Sequence, residues 1–251
     1  MITPKASARR GEAIHRRFRP RPGSNYVASG FALGAVDHLI RSRRPQAILE
    51  VGAGIGALTA AIAEACDGAG LAATHVAIED VPFCLEQLAA NLGPRLEGIE
   101  VHPYVRDVPV GGPTFDLVII DGGATEDLLP EDQHLWTAAD EEAEVGSWIG
   151  RLSPGALVLV ENRRDRQRGF IEALAIRPMV HEHVRPLDAG PGYHLYWVDP
   201  SATRRLAVAV AEGWRRVWFP RGVRAQRLLY HKLHGRPKPK RDTVAPGLEG
   251  D

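Results

Sequence analysis

Short apolar runs and helical stretches alternate along most of this chain. Ala47-Ile48-Leu49-Glu50-Val51 and His75-Val76-Ala77-Ile78-Glu79 read as strands, as do Ile99 to Val105, Phe115 to Asp121 and Ala156 to Val160. Continuous apolar runs of this length suit parallel strands buried on both faces. Between them, apolar positions recur at helical spacing. Leu33, Val36, Leu39 and Ile40 mark a helix from Ala32 to Arg44 that Pro45 stops. Further helices are predicted over Leu58–Ala65, Phe83–Leu92 behind Pro82, Ala138–Leu152 and Gln167–Ile176. Met179–Val184 and Tyr193–Val198 form a hairpin-like pair joined through Asp188-Ala189-Gly190-Pro191-Gly192. This order predicts an α/β fold with a doubly wound, mostly parallel sheet closed by an antiparallel hairpin. Ligands of such sheets bind beyond the carboxyl ends of the strands, which directs attention to Glu50–Gly56, Glu79, Asp107, Asp121 and Glu161.

The ends of the chain depart from this pattern. Residues 1–24 lack periodicity and read as a basic flexible arm, ahead of a domain over 25–200. Residues 201–234 form a basic amphipathic extension: Ser201 caps a helix with Leu206, Val210, Trp214, Val217 and Trp218 on one face. The Pro- and Lys-rich remainder, 235–251, reads as disordered. Of the 251 residues, 44% are hydrophobic and 25% charged, and the formal net charge is +0. That zero conceals a division: about +6 over residues 1–22, about +11 over 201–241 and about −14 over 23–200. The arms either neutralise the acidic body by packing on it or meet an outside polyanion. Packing of the 201–218 helix on the body or on a second subunit of a homodimer is the favoured expectation. Nucleic acid or an anionic membrane surface, engaged through 201–241, is the lesser one. Cys66 and Cys84 have no metal-type spacing and read as reduced thiols. With no signal-peptide core and no run of about twenty apolar residues, a soluble cytoplasmic protein is expected.

Glycines after the first strand let the backbone turn tightly and approach a ligand at the positive end of a helix. Gly52-Ala53-Gly54-Ile55-Gly56-Ala57 also satisfies the dinucleotide pattern if Ala57 replaces its last glycine. Glu50, two residues before the first glycine, argues against a pyrophosphate, because a carboxylate suits a ligand carrying ammonium and sulfonium groups. The run Glu50-Val51-Gly52-Ala53-Gly54-Ile55-Gly56 resembles the first motif of class I S-adenosylmethionine-dependent methyltransferases, a resemblance that extends over about residues 30–200. It implies that Glu50, Gly52, Ala53, Gly54 and Gly56 cradle the methionine part of S-adenosylmethionine. It also implies that Glu79 binds the ribose hydroxyls and Asp107 the adenine amino group.

The acceptor is approached first by exclusion. Ile120-Asp121-Gly122-Gly123 lacks the Asn/Asp-Pro-Pro-aromatic signature of exocyclic base-nitrogen methylation, and neither cysteine suits cytosine-C5 chemistry. Phe115 to Gly122 resembles small-molecule O-methyltransferases, with a small hydroxylated acceptor such as a sugar, phenol or polyketide. By that resemblance Asp121, Glu161 and Asn162 match the positions of Mg²⁺ ligands, although Ala124 stands where catechol-type enzymes have a lysine. Alternatively, Asp121 caps the following loop and Glu161 pairs with Arg163 or Arg164. Without a metal, Asp121, His134 or Glu161 could act as base, His134 from a segment, Gly122 to Ala138, able to cover the substrate. An RNA or DNA methyltransferase using the basic arms and a catalytically silent scaffold are the rival readings, with a nicotinamide oxidoreductase behind them.

Overall fold

A computed structural model describes residues 4–109, 111–122, 137–162, 164–184, 192–211 and 213. Seven strands form one sheet: β1 (Ala47–Val51), β2 (Thr74–Ile78), β3 (Glu100–His102), β4 (Phe115–Ile120), β5 (Leu152–Glu161), β6 (Met179–Val184) and β7 (Tyr193–Val198). Their spatial order is β3-β2-β1-β4-β5-β7-β6. The first five are parallel, and β7 enters antiparallel between β5 and β6. The strand order reverses between β1 and β4, which opens a crevice at their carboxyl ends.

Side-chain alternation explains why the strands read as unbroken apolar runs. Ile48, Leu117, Ile119, Leu157 and Leu159 face one core with the helices α1 (Lys5–Phe18), α2 (Gly30–Arg43) and α3 (Ala57–Asp67). Leu49, Val118, Ile120, Val158 and Val160 face the other, with α5 (Ala138–Ile149) and α6 (Asp165–Leu174). Both faces are covered, so no polar alternation survives. The remaining helix, α4, spans Pro82–Leu92. Helix ends follow local chemistry. The Ser29 hydroxyl accepts from the Ala32 N–H at the start of α2, and Thr137 with Asp140 forms a capping box on α5. Asp116 Oδ2 accepts from the Gln46 and Ala47 amides while Oδ1 takes the Ser153 hydroxyl, joining the lower ends of β1, β4 and β5.

Several boundaries differ from the sequence reading. β3 is limited to Glu100–His102 and passes into a 3-10 turn at Val105–Asp107, while α5 stops at Ile149 because β5 already begins at Leu152. The largest difference lies at the amino end. Residues 5–18, expected within a flexible arm, form α1 and pack on α2. The buried face of α1 is Ser7, Gly11, Ile14 and Phe18, so half of it is made of small residues that hydrophobic periodicity does not detect. A Cβ at Gly11 would stand 2.2 Å from the Gly34 nitrogen and 2.3 Å from the Gly30 oxygen, so the two helix backbones nearly touch. Arg10 forms a two-pronged pair with Asp37 at 2.8 and 2.7 Å, and Arg41 adds a third bond at 2.8 Å. Burial pushes the Asp37 carboxyl up, but Arg10, Ser7 and Arg41 outweigh it and hold it below the usual carboxylate range.

The chain divides into compact units Met1–Val208 and Ala209–Asp251. In the first, Arg204 stacks on Trp197 at 3.8 Å and Val208 is buried. The expected tail segments beyond residue 213 lie outside the described residues. No helix among the described residues is long and apolar enough to cross a membrane.

Gly11→Val is expected to lower the unfolding free energy by about 1–3 kcal/mol, since overpacking a tight contact costs that much. Urea denaturation of the variant beside the parent measures it, and an unchanged midpoint would refute the tight α1–α2 contact.

Candidate active site

The carboxyl ends of β1, β2 and β4 meet through a backbone arrangement that only glycine permits. The Ile78 carbonyl accepts from both the Gly52 and Ala53 amides, at 2.9 and 3.0 Å. The Val51 carbonyl in turn accepts from Asp121 and Gly122, at 3.0 and 2.8 Å. A Cβ on Gly52 would fall 2.1 Å from the Gly122 Cα, and one on Gly122 would fall 2.3 Å from the Gly52 Cα. Gly52 also has φ +88°, a left-handed conformation that side chains disfavour. Beyond it the loop opens: a Cβ on Gly54 would meet nothing within 4 Å.

This arrangement borders a cavity of about 410 Å³ lined by the loop, by Glu79 and Asp121, and by parts of α5 and α6. Gly52, Ala53 and Gly54 line it; Gly56, at φ +93°, starts α3 behind them. Glu79 ends β2 beside the loop and takes the Gly54 N–H at 2.7 Å and the Val81 N–H at 3.0 Å. Burial raises its carboxyl above the ordinary range; the two N–H donors oppose this, and Asp80 and Glu50 add to it. A carboxylate has further lone pairs for a ligand's hydroxyls.

Glu50 is not a lining residue. It is wholly buried beneath the loop, with Oε1 accepting from the Thr59 hydroxyl at 2.9 Å and Oε2 lying 2.9 Å from His75 Nε2. Its side chain, on the α3 face of β1, ties the strand to α3 and β2, so it positions the loop. Asp107 is exposed in the turn after β3 and does not line the cavity. Another acid stands on that side: Glu144 of α5, buried, accepts the Val105 N–H at 2.8 Å. Burial raises its carboxyl too.

Asp121 faces the cavity. Desolvation pushes its carboxyl up to about 7; Arg164 opposes the rise, while Glu161 and Glu50 reinforce it. Arg164, from the start of α6, also donates to the Asp121 carbonyl. Glu161 and Asn162 end β5 but do not line the cavity, and Asn162 Oδ1 lies 3.1 Å from His183 Nε2. The three proposed Mg²⁺ ligands therefore do not fit a metal: Asn162 is engaged elsewhere, and Arg164 already brings positive charge to Asp121. Among the described residues no group of three or more His, Cys, Asp or Glu could hold an ion. His134 and most of its segment lie outside the described residues.

The sequence reading missed Glu141, Glu144, Arg164 and Gln167, all of which line the cavity. Their signal was present in part. Glu141, Glu144, Val145 and Trp148 share one helix face, so acids sit on an otherwise apolar stripe.

No protein-family model matches this chain, and no curated protein sequence resembles it at a meaningful level. Solved structures do. The O-methyltransferase TomG of Streptomyces achromogenes, involved in tomaymycin synthesis and solved with S-adenosylmethionine, superposes with a TM-score of 0.52 at 20% identity, covering 80% of this chain and 92% of that one. The S-adenosylhomocysteine-bound methyltransferase PaMTH1 of Podospora anserina gives 0.51 at 16%, over 78% and 89%. The O-methyltransferase of Bacillus cereus with S-adenosylhomocysteine gives 0.51 at 14%, over 79% and 93%. The chain has the Rossmann-like fold of class I S-adenosylmethionine-dependent methyltransferases.

Because the folded state favours neutral Asp121, its contribution to stability is complete at low pH and is lost as pH rises through about 7. Asp121→Asn should therefore unfold at higher denaturant than the parent at pH 8, by about 1–3 kcal/mol, with the gain vanishing near pH 4. Parallel urea curves at the two pH values test this; a loss at pH 8 would contradict it.

Proposed function

We propose that this chain is an S-adenosylmethionine-dependent methyltransferase that methylates a hydroxyl of a small molecule. The observation that carries the reading is the placement of Asp121, with its carboxyl at about 7, in one cavity with an open glycine cradle and Glu79. Gly52, Ala53 and Gly54 would hold the methionine part of the cofactor and Glu79 the ribose hydroxyls. When bound, S-adenosylmethionine supplies a methyl group already activated on a positively charged sulfur, so alignment provides most of the rate.

The chain's own residues supply the rest. Asp121, ionised above about pH 7, accepts the proton of the acceptor hydroxyl as its oxygen gains the methyl group. A carboxyl tuned this far up is a stronger base than an ordinary aspartate, and about half of it is ionised at pH 7. Arg164 limits the rise and orients the Asp121 backbone. Ile78, Val81 and Pro103 give the wall near Glu79 an apolar character. The charge of the lining supports a small acceptor over nucleic acid. Glu79, Asp80, Asp121, Glu141 and Glu144 oppose phosphodiesters, with Arg164 as the single cation among the described lining residues.

Calorimetric titration with S-adenosylhomocysteine, NADH serving as control, tests the cofactor: micromolar binding of the first alone is expected, and preference for NADH would overturn the reading. Gly54→Arg should keep the parent circular dichroism spectrum and lose that binding, because the side chain enters the open cradle. With an accepted substrate, kcat should rise with pH through about 7, and Asp121→Asn should lower it about 10²–10⁴-fold with little change in S-adenosylhomocysteine affinity. A variant with parental kcat would remove Asp121 from the chemistry.

A further inference from the structure

The cavity runs across the carboxyl ends of the strands in their spatial order. Asp121 follows β4, the glycine cradle follows β1, and Glu79 follows β2. The next strand end is that of β3, where Pro103 lines the cavity and Val105 is buried in the turn beyond it. Asp107, in the same turn, is exposed and does not line the cavity. The acid that reaches this end comes from α5 instead. Glu144 is 6% exposed, lines the cavity, and takes the Val105 N–H on Oε1 at 2.8 Å.

Only half of that carboxyl is engaged. Among the described residues Oε2 has no hydrogen-bond partner, and it is not sealed within the protein, so it is open to the cavity that Glu144 lines. Burial raises the carboxyl; the Val105 N–H and Arg106 oppose the rise, while Asp107 and Asp80 reinforce it. Glu144 therefore stands among the charged groups at the ends of both β2 and β3. Val81, Pro103 and Val145 add apolar surface to the same cavity. A nearly buried acceptor lacking a donor, on a cavity wall, is a place for a ligand's N–H.

We propose that Glu144 reads the base of the cofactor, its Oε2 accepting from the exocyclic amine of adenine. The proposal rests on the methyltransferase reading and adds to it the residue that selects the base. With the methionine part on the cradle after β1 and the ribose at Glu79 after β2, the base falls at the end of β3, because the ligand continues across the strand order. The amine carries the only N–H bonds of the adenine in this cofactor. Its ring nitrogens are acceptors and would meet the lone pairs of the carboxyl. The Val105 N–H fixes Glu144 before the ligand arrives, so the acceptor is already in place. A base with a carbonyl in place of the amine brings a second acceptor against the first, and such a mismatch is rejected strongly in a desolvated site.

The test compares S-adenosylhomocysteine with S-inosylhomocysteine, in which a carbonyl oxygen replaces the amine and N1 gains a hydrogen. Both are titrated calorimetrically into the full chain at pH 7.5. S-adenosylhomocysteine should bind at least about tenfold more tightly, as a hydrogen bond to a charged group warrants. Glu144→Gln turns an acceptor into a donor toward the base while its amide oxygen can still take the Val105 N–H, so it should cut that preference at least about fivefold. Glu144→Met, of similar length and without a polar end, should cut it by about the same factor. Either variant carries the test if circular dichroism shows that the other fails to fold. A parental preference below about tenfold, a smaller fall in the folded Glu144 variants, or an equal fall in Asp107→Asn would overturn the assignment. Binding of S-adenosylhomocysteine without the preference refutes the base assignment alone. A chain that binds neither compound refutes the methyltransferase reading, and the assignment with it.

Discussion

The close crossing of Gly52 and Gly122 is the contact on which the remaining architecture of the site depends. Two carbonyls, those of Ile78 and Val51, each receive a pair of amides from the neighbouring strand end, and this draws the ends of β2, β1 and β4 together. The approach leaves no room for a Cβ on either glycine. Because the backbones meet there, Glu79 from one strand and Asp121 from another border the same cavity. A single methyl group at the crossing would separate the residues that hold a cofactor from the one that takes a proton.

Buried charge is handled in two ways around this crossing. Glu50 and Asp37 are fully answered by partners: Thr59 and His75 for the first, Arg10 and Arg41 for the second. Such groups hold elements in place, the glycine loop in one case and α1 against α2 in the other. Glu79, Asp121 and Glu144 are answered less completely, and burial pushes each carboxyl upward. A folded chain that keeps acids in unfavourable surroundings loses stability locally, and that is the usual condition of groups poised to meet a ligand or a proton.

The amino-terminal helix shows how a fold can be present without an obvious pattern. Seven basic residues and three prolines in residues 1–22 suggest a solvated arm. The helix is held instead by the near contact of backbones at Gly11, Gly34 and Gly30 and by the two-pronged Arg10–Asp37 pair. Small residues at a helix interface contribute through how closely they allow backbones to approach. That contribution depends on the partner helix, and hydrophobicity does not measure it.

The alternation of apolar runs and helices determined the sheet, its parallel character and its closing hairpin, because burial on both faces imposes a period that survives in the linear order. The glycine loop, Glu79 and Asp121 were legible for a related reason: in such sheets, position along the chain at a strand's end is also position in space. Tertiary structure alone decided the rest. Glu50 turned beneath the loop because alternation along β1 places it on the α3 face, and Asp107 stayed outside because β3 is short. Glu141, Glu144 and Gln167 became part of the cavity because α5 and α6 pack over the carboxyl end of the sheet. Which face of a helix meets a cavity depends on packing between segments distant in sequence, and the acids on the apolar stripe of α5 signal it only in part.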